Sequence, residues 1–562
     1  CITKYLPLRG ALAVHAVMLA AAFIVLPLAL PSGWEAAPES GQAFWLIGLF
    51  AVAVGLPFFA VSANSPLLQA WFARTGHAQA HDPYFLYGAS NIGSFASLWL
   101  YAGLFEPTLA VPTQTLAWML GYGALALLIL ACGLLAVGRS TATVEQVAEK
   151  AAPVDAITRV KWIGLAAIPS GLLVAVTAHV STDIASAPFL WIVPLSLFLL
   201  SFVVAFARKP LIEGQMLSLL TFGFGVAAFF ASRSGGGGLQ WPLLAATMVF
   251  FFLAATLCHS KLAALKPAAR HLTSFYLWMS FGGVVGGVVT TFGAPALFNT
   301  VAEFPLLIVA VLLLRGHHTS PFVRRIEQGA LVLLMVWIAG AATIGFGSNE
   351  LIAKRSFYGT VRVNMMEDQR YVAMQHGTTL HGAMRAEDLA EGTTPKPLTY
   401  YHETGGIAQA LFARQQIVGD RLAHMGVIGL GTGSLLCHRK PNELWTNYEI
   451  DRDVVELASD PRYFRFVSAC GQGDPIEVAD GRLGVARHNG ANFDYLLVDA
   501  FSSNSVPPHL LTREAMAVYM DKMAEDGIVV MHISNRFMEL RSVVAALAQD
   551  AGLAMRVGIF PR

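Results

Sequence analysis

The chain has 562 residues, of which 55% are hydrophobic and 13% charged. Soluble domains carry about 25% charged residues, so a wholly soluble globular protein is excluded. The net charge of +1, with no basic stripe interleaved with aromatics, gives no footprint for nucleic acid.

The charge is unevenly spread. Residues 1–348 hold 16 Lys/Arg and 11 Asp/Glu, whereas residues 349–562 hold 21 and 25. The expected organisation is a multi-pass transmembrane region over 1–348 joined to a soluble domain over 349–562. Cys1 is the first residue, and Lys4 and Arg9 lead straight into a span-length apolar run. No signal peptide is therefore visible, and a preceding segment is expected.

Apolar runs fall at about 11–31, 43–63, 84–104, 115–138, 162–181, 188–207, 212–232, 241–258, 272–294, 296–314 and 329–347. A run of about 20 residues crosses a bilayer, so a polytopic bundle of about 11 helices is expected. Gly282-Gly283-Val-Val-Gly286-Gly287 would let two helices approach closely. Segment 64–83 reads as an amphipathic surface connection. His179, Asp183, His259, Lys261, His271 and Tyr276 are the polar residues in or near the runs. Cys132 and Cys258 read as core thiols, and no cysteine has metal spacing.

Lys and Arg concentrate in alternate connections, with Arg233 as the exception. By the positive-inside rule those connections are cytoplasmic. Counting eleven spans then places 349–562 outside the cytoplasm, whereas Lys354 and Arg355 favour the other side. The side of the soluble domain stays open.

In the soluble domain, alternation in 358–363 and 370–374, broken at Glu367-Asp368-Gln369, predicts a small antiparallel sheet. An Ala-rich helix follows Tyr401-His-Glu403 and runs through about Arg414. Val427-Ile428 then leads into Gly429-Leu-Gly431-Thr-Gly433, a short helix, and a strand ending on Glu449 and Asp451. That is half of a nucleotide-binding α/β unit, with a carboxylate about 20 residues after the first glycine. Further strands end on Asp480 and on Asp499, the latter after an apolar run typical of a strand buried on both faces. A fifth strand is expected over 527–532, and helices over 512–523 and 537–550. Strand ends of a parallel sheet face the ligand crevice. The alternative role for such acids is capping of the following helix. A Cys437–Cys470 disulfide is open to the two cysteines of this domain.

These residues resemble those of spermidine synthases, the polyamine aminopropyltransferases. The whole chain is similar to a bacterial architecture in which a transporter-like multi-pass region precedes a spermidine synthase-like domain. The resemblance is carried by 62–85, by 258–279, and by Ser356-Phe-Tyr-Gly359, Tyr400-Tyr401-His402-Glu403, Gly429–Gly433, Tyr448–Asp451, Ala479-Asp480-Gly481 and Val498–Ser503. It implies a β-unit and helix start over 349–403 and a Rossmann-like, methyltransferase-type sheet over 404–562, in a multi-pass protein of the bacterial plasma membrane. The implied co-substrate is decarboxylated S-adenosylmethionine, without a metal. Gly429, Gly431 and Gly433 would line its sugar and sulfonium end, Glu449 would take the ribose hydroxyls and Asp480 the adenine amino group. Asp499 would activate a small-molecule amine acceptor, and Tyr401 would border the amine pocket. Partners would be the lipid bilayer and, as an open alternative, a second copy of the chain.

The chain departs from that pattern at three positions. Thr432 stands where the soluble synthases carry Asp in Gly-Gly-Gly-Asp-Gly. Ser502, followed by Asn504, stands at the second Asp of Asp-Ser-Ser-Asp-Pro, and Met384 replaces an expected Gln. Two other readings therefore stand beside aminopropyl transfer. One is methyl transfer from S-adenosylmethionine; the other is a non-catalytic nucleoside- or polyamine-binding module that regulates a transporter.

Overall fold

A computed structural model describes residues 5–34, 42–139, 154–180, 190–207, 211–231, 240–268, 271–314, 321–344, 349–377, 379–500, 507–535 and 539–558. Of the polar residues singled out above, Asp183 lies outside these ranges, as do Ser502 and Asn504.

Each apolar run falls on a helix: α1 Leu8–Val25, α2 Phe44–Phe72, α3 Phe85–Leu100, α4 Val111–Gly138, α5 Ala156–His179, α6 Ile192–Ala205, α7 Gly214–Ala231, α8 Gln240–Ala264, α9 Leu272–Leu297, α10 Glu303–Leu314 and α11 Pro321–Ile344. Among the described residues, six helices are long and apolar enough to cross a membrane: α1, α2, α4, α5, α8 and α9. The short α10 has 12 residues and at 1.5 Å per residue falls well short of a bilayer core. Helix α9 lies directly on α5. A Cβ on Gly286 would overlap the carbonyl of Ala167, and Ser170 donates to the Gly283 carbonyl at 2.8 Å.

Segment 64–83 is not a surface connection. Its first part continues α2, and Asn64, Gln69 and Trp71 are buried. Asn64 Oδ1 accepts from His15 Nε2 at 2.6 Å, and Gln69 Oε1 accepts from the Tyr276 hydroxyl at 2.8 Å. An amphipathic pattern in a polar stretch reads as surface, but here the polar face meets polar residues of other helices. His259 is likewise buried, with Nδ1 2.9 Å from Ser201 Oγ and its ring stacked on Phe202. Cys258 is a core thiol; Cys132 instead lies on an exposed face of α4.

The C-terminal part has two sheets. The first is an antiparallel meander of β1 Glu350–Ser356, β2 Gly359–Met366, β3 Tyr371–His376 and β4 Thr379–Arg385. The second is parallel, in the order β7-β6-β5-β8-β9, from β5 Ala423–Ile428, β6 Glu443–Glu449, β7 Ile476–Val478, β8 Phe493–Val498 and β9 Met523–Met531. Its helices are α12 Gly406–Val418, α13 Arg452–Ser459, α14 Phe466–Cys470, α15 Gly481–Arg487, α16 Arg513–Asp521 and α17 Arg541–Asp550.

Successive side chains alternate across this sheet and feed two cores. Met425, Val427, Tyr495 and Leu497 pack with Ile407, Leu411 and Trp445 on one face. Ile428, Leu496 and Val498 pack with Tyr448, Met516 and Tyr519 on the other. Burial on both faces explains the unbroken apolar run of β8. The meander seats Val361, Val363, Met374 and Met384 against Leu430 and Phe464. Cys437 and Cys470 form a disulfide with Cα atoms 4.9 Å apart.

Candidate active site

The strand order reverses between β5 and β8, since the chain runs from β5 outward to β6 and β7 and then returns to β8 and β9. Ligand crevices of open parallel sheets form at such switch points, beyond the strand C-termini. Gly429 follows β5 and Asp499 follows β8, and Asp499 N donates to Ile428 O at 2.8 Å. Gly429 has φ +97°, and a Cβ there would overlap the Asp499 carbonyl. Only glycine fits, because the backbones touch where the strands part.

A cavity of about 220 Å³ opens at this point. Gly429, Gly431, Glu449, Asp480, Asp499 and Tyr401 all line it. Gly433 does not. It adopts φ +77° at the entry to a 3₁₀ turn, Ser434–His438, which stands where a short helix is expected. A Cβ there would strike Val467, so its observed role is turning and packing.

Glu449 is buried, and its two oxygens accept from Leu430 N at 3.0 Å and Asp451 N at 3.1 Å. Burial pushes its carboxyl above the usual range, against the pull of these N–H donors. Asp451 accepts from Ser356 Oγ at 2.6 Å and caps α13 through Asp453 N at 2.9 Å. Asp480 caps α15 through Leu483 N at 3.0 Å and meets His509 Nε2 at 2.7 Å. For Asp451 and Asp480, capping and a place in the cavity wall coexist.

Asp499 is 8% exposed. One oxygen accepts from the Tyr401 hydroxyl; the other faces His532 Nδ1 at 2.7 Å. Tyr400 lies 4.4 Å from the Tyr401 ring and 4.8 Å from the His532 ring. Burial, with the charge of Asp499, pushes both phenols well above their ordinary range, so they remain neutral donors. Burial lowers the His532 value, but the Asp499 charge and hydrogen bond outweigh it and leave a net rise. Burial and neighbouring His376 push His381 down to about 4, against the pull of Asp499.

Thr432 and Met384 take no part in the cavity wall. Thr432 is fully buried with its hydroxyl against Gly382 of β4, and Met384 is fully buried in the core under the meander. Sequence reasoning overlooks His532, His376, His381 and His509. His532 ends β9 as Asp499 ends β8, so the shared strand-end position is the signal that could have found it. Of the other three, His376 and His381 stand on the meander strands β3 and β4 and His509 on a 3₁₀ turn, where spacing carries no such signal.

No family model matches the chain. It is 31% identical over 109 residues to a polyamine aminopropyltransferase from Vibrio vulnificus (strain CMCP6), covering 18% of this chain and 35% of that protein. The chain thus spans about a third of this curated relative and is homologous in sequence to it over that part. Among solved structures it is similar to spermidine synthase from Thermotoga maritima (18% identity, 36% of this chain, 63% of that one, TM-score 0.27). It is also similar to a probable spermidine synthase from Corynebacterium glutamicum ATCC 13032 (15% identity, 33% and 63%, TM-score 0.27).

Proposed function

We propose that the C-terminal domain transfers an aminopropyl group from decarboxylated S-adenosylmethionine to an amine. The observation that carries this reading is the Asp499 carboxylate, buried at the switch point between Tyr401 and His532 and lining the same cavity as Glu449. The nitrogen lone pair attacks the carbon beside the sulfonium. The carbon–sulfur bond breaks, its electrons remain on sulfur, and methylthioadenosine leaves as a neutral thioether. The proton lost by the new ammonium passes to Asp499, and a positioned carboxylate of this kind contributes about 10²–10⁴ in rate. Glu449 accepts from the ribose hydroxyls, and Gly429 and Gly431 let the donor lie against the backbone.

The apolar helices, with outward-facing Phe44, Phe58, Leu127 and Leu134, support residence in a lipid bilayer. The test is methylthioadenosine release by the full-length protein in detergent. Asp499→Asn lowers release at least 100-fold in a chain that still folds cooperatively; release at the wild-type rate overturns the assignment. Methyl transfer from S-adenosylmethionine is the competing chemistry, and calorimetry with both donors separates the two. Thr432 lends methyl transfer no support, because it faces Gly382 and not the cavity.

A second reading, a binding module that controls the helical region, is favoured by one chain of contacts. Arg355 pairs with Glu303 of α10 at 2.7 Å, and the next residue, Ser356, holds Asp451 in the cavity wall. Nucleoside-dependent uptake into vesicles without chemistry would support that reading.

A further inference from the structure

The end of the cavity around Asp499 is walled by Tyr400, Tyr401, His376 and His381, with Val361 and Met374 beside them. These groups are mutually close. The two imidazoles lie 5.8 Å apart, His381 feels the charge of Asp499, and Val361 pairs with His376 across β2 and β3. Among the described residues, Asp499 is the one carboxylate at this end, and both its oxygens already have partners. Neither 371–385 nor 500–511 contains an Asp or Glu, so the flanking segments hold no second acid. The other three acids of the wall are bound to backbone N–H groups at the Glu449 side.

We infer that the acceptor is a monoamine with an apolar or aromatic body, not a polycation. The inference rests on the transfer reading above. A diamine that gives up one proton to attack still carries an ammonium group at its far nitrogen. Buried charges need a partner, and among the described residues the wall beyond Asp499 offers imidazole and phenol rings and aliphatic carbon. Those surfaces stack on an aromatic ring or cover an alkyl chain. A lone protonated nitrogen, by contrast, is served by Asp499 and by the faces of Tyr400 and Tyr401.

The experiment follows methylthioadenosine release by the full-length protein with decarboxylated S-adenosylmethionine, comparing phenethylamine and hexylamine with putrescine and spermidine. We expect kcat/KM to favour the monoamines by about tenfold or more, since an unpaired buried charge weakens binding; a preference for putrescine or spermidine overturns the inference. Calorimetry of the same amines in the presence of methylthioadenosine reads the pocket without chemistry. Tighter binding of phenethylamine supports the inference even where no amine is turned over, an outcome that defeats the transfer reading alone. Tighter binding of putrescine, or no binding of phenethylamine, overturns it. His381→Asp supplies a second carboxylate and should shift the ratio toward putrescine by about tenfold; an unchanged ratio overturns the assignment of this wall to the acceptor.

Discussion

Asp499 works between a phenol and an imidazole, and the imidazole gives the site a measurable pH signature. The His532 value is raised in the folded chain, because the facing carboxylate outweighs burial of the ring. Its ion pair with Asp499 therefore contributes stability in full below the ordinary imidazole value of roughly 6.5. That contribution is lost as pH rises through the folded value. The difference in melting temperature between wild type and His532→Gln should accordingly be larger at pH 6 than at pH 9, and a difference that grows with pH would refute the pairing. Asp499→Asn removes the same charge, so it should erase the pH dependence of that difference as well as the transfer. The two substitutions thus separate a carboxylate that accepts the substrate proton from an imidazole that positions it.

At the scale of elements, α12 anchors the parallel sheet through a buried ion pair. The sequence reading ends the Ala-rich helix near Arg414, but α12 runs on to Val418, and Arg414 sits inside the protein with its side chain 1% exposed. It donates to Asp494 of β8 at 2.9 Å and to Asp526 at 2.8 Å. Burial opposes the charge on Asp494, yet the His424 N–H with Arg414 and Arg421 holds its carboxyl below the usual range. Arg414→Met strands that carboxylate and should cost about 3–5 kcal/mol, measured by urea unfolding of the full chain in detergent; a loss below 1 kcal/mol would mean that Arg421 suffices. The Asp494 contribution is present above roughly pH 4 and disappears as pH falls through its lowered folded value. This cluster is illegible in sequence, because its partners are 80 and 112 residues apart and no periodicity marks them. The strands are legible for the opposite reason. Alternation and the apolar run of β8 are local, and so is the sequence Gly429 to Glu449. The acids at strand ends can therefore be found in advance, while the histidines that complete the site and the inward turn of Thr432 depend on how the meander packs.

For the whole molecule the open matter is the side on which the C-terminal domain lies, and the Arg355–Glu303 contact bears on it. Arg355 donates to both oxygens of Glu303 and to Thr300 O at 2.7 Å, with both side chains largely buried. Lys354 is engaged by Asp453 and Glu456. Glu303 opens α10, and Arg355 follows the end of α11. The two helices must therefore form a hairpin that returns the chain to the level of Glu303. The connection between them carries Arg315, and Arg324 and Arg325 begin α11, so the positive-inside rule assigns the tip of this hairpin to the cytoplasm. We propose that the hairpin, of which α10 alone covers only part of the bilayer core, sets Glu303 and the C-terminal domain on the opposite face, where the Cys437–Cys470 disulfide is also stable. We expect a protease added to intact cells to cleave within 349–562, and a membrane-impermeant thiol reagent to label a cysteine introduced at Glu391 but not one introduced at Lys161. Protection of Glu391 with labelling at Lys161 would reverse the assignment and place the cavity on the side where adenosyl donors are made. Charge reversal at both positions, Arg355→Glu with Glu303→Arg, should retain the hairpin contact that Arg355→Glu alone breaks, read as hydrogen exchange in β1.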